Sequence, residues 1–140
     1  MKNQNEQPQE ETSEDEDESQ DDGMVIEPEQ YSRIFGIYGS IDEEKSASTI
    51  GVLYHLKNSG KIVGTDKEIS YEPIEFLIST DGGLVADTFA MYDVMRDIQK
   101  ECDISTFGVG KVMSAGLLLL AAGTKGRRRI GKHCRLMIHQ

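Results

Sequence analysis

The chain has little cysteine. Two residues, Cys102 and Cys134, are too few for a disulfide framework, and no Cys-x-x-Cys or Cys/His grouping has metal-ligand spacing. His133 adjoins Cys134, but neighbouring residues on a strand point to opposite faces, so they do not form a chelating pair. Both thiols are expected to stay reduced, which fits a cytoplasmic setting. Long apolar runs are also missing. The longest, Leu117 to Ala122, falls far short of the roughly 20 residues that span a bilayer, so no membrane partner is expected. No Gly-Lys-Ser or Gly-x-Gly-x-x-Gly stands at a strand–helix turn, which argues against a phosphate-binding loop. The basic group Lys125, Arg127, Arg128, Arg129, Lys132 and Arg135 has no interleaved aromatics, so it reads as a solvated rim and not as a nucleic-acid surface.

What is present is unevenly spread. The 140 residues suit one domain. The net charge of −10 belongs almost wholly to residues 1–22, where ten acidic side chains meet one lysine, a net of −9. That segment has no aromatic residue and one apolar residue, Met1, so it cannot offset the entropy of ordering. Residues 1–23 are therefore expected to be a disordered acidic tail. It is no signal peptide, because an apolar central region is missing and the charge has the wrong sign. Residues 24–140 form the expected folded domain.

Within that domain strands and helices alternate. "RIFGIYG" (Arg33 to Gly39) predicts a strand. Ser40 or Asp42 can cap the helix that follows, with Ala47, Ile50, Leu53 and Leu56 on its apolar face and Lys57 and Gly60 at its end. Residues 61–73 read as a turn-rich loop. "IEFLIS" (Ile74 to Ser79) is a strand that runs into Thr80-Asp81-Gly82-Gly83. The next helix carries Val85, Phe89, Tyr92, Met95 and Ile98 along one face. A strand from Asp103 to Gly110 precedes a helix from about Met113 to Ala122, closed by Gly123; "RRRIG" and "CRLMIH" suggest two more strands. The alternation predicts an α/β fold with parallel strands and right-handed crossovers. Sites in such folds form at the carboxyl ends of strands. Two turns qualify: Asp81-Gly82-Gly83 and Gly110 to Ser114.

Ser114 is placed at the start of its helix. It can be a cap there, or a nucleophile served by unpaired N–H groups and the helix dipole. The Gly-x-Ser-x-Gly signature is absent, since Val112 holds the first glycine position. The small Ala115 and Gly116 would let a substrate backbone approach. A base would come from His55, His133 or His139. His55 lies within a helix and His133 in a basic turn. His139 is expected on the last strand, which could return beside Ser114.

From Ile74 to Gln140 the residues resemble the proteolytic subunit of the Clp protease family. "ISTDGG" is similar to its strand ending in Asn-Ser-Pro-Gly-Gly, and "AMYDVMRDI" to its following helix. "GVGKVMSAGLLLLAAGTKGRR" resembles its nucleophile segment, and "CRLMIHQ" its Arg-x-Met-Ile-His-Gln strand. The Ser114–His139 interval of 25 residues matches the family's, and a looser likeness extends the match to residues 33–140. The resemblance implies a crotonase-like fold of repeated β–β–α units. Ser114 would be the nucleophile and His139 the general base, with the Gly83 and Ala115 backbone N–H groups as oxyanion hole. It also implies heptameric rings, an AAA+ unfoldase ATPase as partner, unfolded protein or peptide substrates, and neither metal nor organic cofactor.

The chain departs from the family at several points. Thr80 and Asp81 replace a serine and a proline, and Met113 an alanine. Residues Gln99 to Cys102 carry a two-residue insertion, and Glu75 replaces an aromatic where the unfoldase docks. The family's triad acid and ring-joining helix lie downstream of the position matching Gln140, so a domain truncated after His139 is expected. Two other readings follow from that: an inactive or split ring subunit completed by another polypeptide, or a crotonase-like acyl-CoA-binding protein.

Overall fold

The computed structural model describes residues 32–139. The acidic segment 1–23 and Gln140 lie outside the described residues. In chain order the elements are β1 (Ile34–Ile41), α1 (Glu43–Ser59), β2 (Lys61–Val63), β3 (Ile69–Tyr71), β4 (Ile74–Gly83), α2 (Val85–Ile98), β5 (Ile104–Met113), α3 (Gly116–Ala122), β6 (Arg128–Ile130) and β7 (Arg135–Met137).

The strands of the main sheet are all parallel, as the alternation predicts. β4 lies between β1 and β5, and both β6 and β7 pair with the far edge of β5. Alternation along β4 turns Ile74, Phe76, Ile78 and Thr80 into the core and leaves Glu75, Leu77 and Ser79 on the other face. Phe76 stacks on Phe35 of β1 with centroids 4.4 Å apart. Ile74, Phe76 and Ile78 join Leu53 of α1, Met91 and Met95 of α2, and Leu119 of α3 in one apolar cluster.

α1 begins as its sequence suggests. The Asp42 carboxylate accepts the Lys45 N–H at 2.8 Å, Glu43 and Glu44 occupy the first turn, and Gly60 closes the helix. Its buried face keeps Leu53 and Leu56 of the expected stripe and shifts elsewhere. Ser46, Thr49, Leu53 and Leu56 face inward and Ala47 is exposed. Ser46 can be buried against α2 because its Oγ donates to Asp87 O at 3.1 Å. α2 likewise keeps Met95 and Ile98 of the expected stripe and shifts at its start. It buries Thr88, Met91, Met95 and Ile98, whereas Val85 and Phe89 are exposed. Thr88 can be buried because its hydroxyl donates to Leu84 O at 2.9 Å.

Residues 61–73 are not a loop. β2 and β3 form an antiparallel hairpin, closed by Gly64 N–H to Glu68 O at 2.8 Å, with Lys67 at φ +63°. Strands of three residues are too short for alternation to register in sequence. β4 and β5 each run three to four residues further than expected, so Gly82, Gly83 and Met113 belong to strand ends.

Candidate active site

Ser114 follows β5 directly, and α3 starts only at Gly116. The expected helix from Met113 is therefore shorter, and Ser114 does not cap it. The residue sits instead in a strand–helix turn with φ +53°, a conformation costly for any residue with a Cβ. Its N–H donates to Met137 O at 2.8 Å, and its C=O accepts from Leu117 N–H at 3.1 Å. These bonds hold the turn from both sides. A sharp strand–helix turn of this kind projects the hydroxyl outward, the same solution found with the Gly-x-Ser-x-Gly signature. Here it is reached with Val112 buried on β5 at the first glycine position.

The partner of the hydroxyl comes from the last strand. β7 pairs with β5 in the register Lys111↔Arg135, Val112↔Leu136, Met113↔Met137. Two residues further on, His139 lies beside Ser114, and its Nε2 is 2.9 Å from Ser114 Oγ. His139 was expected on the strand itself. β7 ends at Met137, because β5, its pairing partner, turns away at Ser114. The other two histidines lie elsewhere: His55 on the exposed side of α1, and His133 in the exposed turn before β7.

The glycine pair abuts this turn. Gly82 has φ +90°, and a Cβ there would lie 2.7 Å from Ser114 Cβ, 2.9 Å from Met113 O and 3.2 Å from Ala115 N. Glycine is required for that approach as much as for the backbone conformation. Gly83, at φ +155°, packs on the Ile41 backbone of β1, where a Cβ would collide. Gly83 and Ala115 thus belong to two backbone segments that touch at Gly82.

Beneath them lies Thr80, a residue noted in the sequence only as a departure. It is fully buried, its Oγ1 donates to Gly39 O at 2.5 Å, and it accepts the Gly82 N–H at 3.0 Å. Its methyl group fills the space that the missing Cβ of Gly116 leaves. One side chain therefore ties β1, the Gly82 turn and the start of α3 together. The signal available in sequence was a β-branched residue immediately before a glycine turn.

Several carboxylates have partners, Asp81 beside the glycine pair and the others at the opposite end of β5. Asp81 pairs with Lys111 at 2.7 Å, Asp97 with Lys100 at 2.8 Å and Asp103 with Arg127 at 3.0 Å. The Lys100 ammonium holds the Asp97 carboxyl below its ordinary range. Burial pushes the thiols of Cys102 and Cys134 up, so both favour the neutral form. Both are free cysteines. Among the described residues no group of three or more His, Cys, Asp or Glu side chains could hold a metal ion. No described helix is long and apolar enough to cross a membrane.

A serine hydroxyl within hydrogen-bond reach of an imidazole can pass its proton on as it attacks. The sequence model described as Clp protease matches residues 29–140. The ATP-dependent Clp protease proteolytic subunit 2 of Chlamydia pneumoniae is 43% identical over 67 residues, covering 48% of this chain and 32% of that protein. Proteolytic subunit 1 of Chlamydia felis matches with the same identity and coverage. The chain spans about a third of the length of the curated relatives it matches. Among solved structures, the ClpP protease catalytic domain from Plasmodium falciparum is similar with a TM-score of 0.66 and 30% identity. That match covers 77% of this chain and 55% of the other.

Proposed function

The chain belongs to the Clp protease family, with its α/β, crotonase-like fold, and we propose that it acts as a serine endopeptidase of the Clp type. The observation that carries this reading is the 2.9 Å approach of His139 Nε2 to Ser114 Oγ at a strained strand–helix turn. In the proposed reaction His139 takes the hydroxyl proton while Ser114 Oγ bonds to the peptide carbonyl carbon. The carbonyl π electrons move to oxygen, and the Gly83 and Ala115 N–H groups receive the oxyanion. Collapse breaks the C–N bond, and His139 returns the proton to the leaving amine. Water then hydrolyses the acyl-enzyme by the same steps. Each oxyanion donor in such a site is worth about 10²–10³ in kcat.

The substrates in this reading are unfolded proteins or peptides. The full protein assembles into heptameric rings and works with an AAA+ unfoldase in a cytoplasmic setting. The resemblance to the family and the free thiols support this. An unfoldase docking at Glu75 meets a charge pair, because Arg129 binds the Glu75 carboxylate at 2.5 Å and lies 4.7 Å over the Phe107 ring.

The test is hydrolysis of a short fluorogenic peptide by the full-length protein. Turnover is expected, and Ser114→Ala is expected to abolish it. Turnover that survives Ser114→Ala unchanged would overturn the reading.

A further inference from the structure

The ends of β4 and β5 carry the two halves of the proposed site. β4 ends in Gly82 and Gly83, and β5 leads into Ser114. Their regular pairing is interrupted between Ile78 and Thr80, just before both ends. One side-chain bridge spans the gap. Asp81, immediately before Gly82, pairs with Lys111, three residues before Ser114, at 2.7 Å. Lys111 has a second charged neighbour, since its Cα partner across β7 is Arg135. Like charges directly opposite on paired strands repel. β7 is also the strand that delivers His139 to Ser114. The charges therefore run Asp81, Lys111, Arg135 across three adjacent strands, and the acidic one offsets the two basic ones.

We propose that Asp81 is a positioning residue of the serine site: its ion pair with Lys111 holds the Gly82-Gly83 turn against Ser114 and lets β7 seat beside β5. This rests on the serine endopeptidase reading. As a stability element the pair contributes little, because both side chains are about half exposed, at 44% and 48%. Its effect is on alignment, and a small displacement of an oxyanion donor from the nucleophile costs rate far more than it costs folding.

The geometry sets an order among substitutions. Asp81→Asn removes the bridge and leaves Lys111 facing Arg135 uncompensated. Lys111→Met also removes the bridge but relieves that repulsion. The exchange Asp81→Lys with Lys111→Asp restores the bridge and places an acid opposite Arg135.

The experiment measures kcat and KM on a fluorogenic peptide, and the thermal midpoint, for the full-length protein and these variants. Asp81→Asn is expected to lower kcat by about 10-fold and Lys111→Met by about 3-fold, each with KM changed less than about 2-fold. The exchanged pair is expected to recover kcat to within about 3-fold of the parent. Thermal midpoints are expected to stay within about 4 °C, as for an exposed pair. An active parent whose single variants match it, or an exchange that loses more than either single variant, would overturn the inference alone. A parent in which Ser114→Ala leaves turnover unchanged would overturn the endopeptidase reading and this inference with it.

Discussion

At the residue scale, Thr80 shows how much of the site is held from below. It bonds to β1 and to the Gly82 turn and fills the space beside Gly116. Thr80→Val keeps the shape but leaves Gly39 O and Gly82 N–H without that partner, at a cost of about 1–3 kcal/mol. Thr80→Ser keeps both bonds and loses one methyl, at a cost of about 1 kcal/mol. Urea denaturation of both variants checks the order: valine is expected to be the more damaging. Sequence reading could not see this role, because burial and the gap at Gly116 are properties of the fold. It did single out Ser114, His139 and the glycine pair, whose types and spacing are visible in the chain. It could not see that Ser114 is in the left-handed region. That conformation is imposed by bonds to Met137 and Leu117, one of them 23 residues away. The cysteines differ as well. Cys102 is 1% exposed and its thiol is pushed up by burial, so iodoacetamide is expected to modify Cys134 well before Cys102. Equal rates of modification would contradict the packing around Cys102.

At the scale of elements, caps were legible and faces less so. Asp42 announces α1 because capping is local chemistry, and Asp42→Ala is expected to cost about 1 kcal/mol in a urea melt. The inward faces of α1 and α2 depend on which small polar side chains find partners in the neighbouring helix or turn, as Ser46 does at Asp87 and Thr88 does at Leu84. Hydrophobic spacing counts such residues as polar and so shifts part of the predicted face. The β2–β3 hairpin escaped for another reason, since its three-residue strands carry no readable period. β7 supports a sharper expectation. A single residue, Ile138, separates its last paired residue, Met137, from His139, and it is 85% exposed. Deleting Ile138 would turn the imidazole away from Ser114 while leaving β7 paired, because side chains alternate along an extended segment. Peptide hydrolysis is expected to fall at least about 10³-fold, as for loss of the base, with little change in the thermal midpoint. Retained hydrolysis would show that His139 is not the group serving Ser114.

At the scale of the whole molecule, the alternation of strands and helices was enough to predict a parallel sheet. It was not enough to show that β6 and β7 share one edge of β5, alongside Thr106–Gly108 and Lys111–Met113 respectively. That sharing leaves β5 bearing Ser114 at its end while the same edge receives the strand that carries His139. The central claim is that these two residues form a working nucleophile and base. The most direct measurement is to treat the full-length protein with a fluorophosphonate and map the adduct by mass spectrometry. A single stoichiometric adduct on Ser114 is expected, absent from a His139→Ala variant that melts at the same temperature. An unmodified Ser114 in the assembled protein, with a known serine peptidase labelled in parallel, would contradict it.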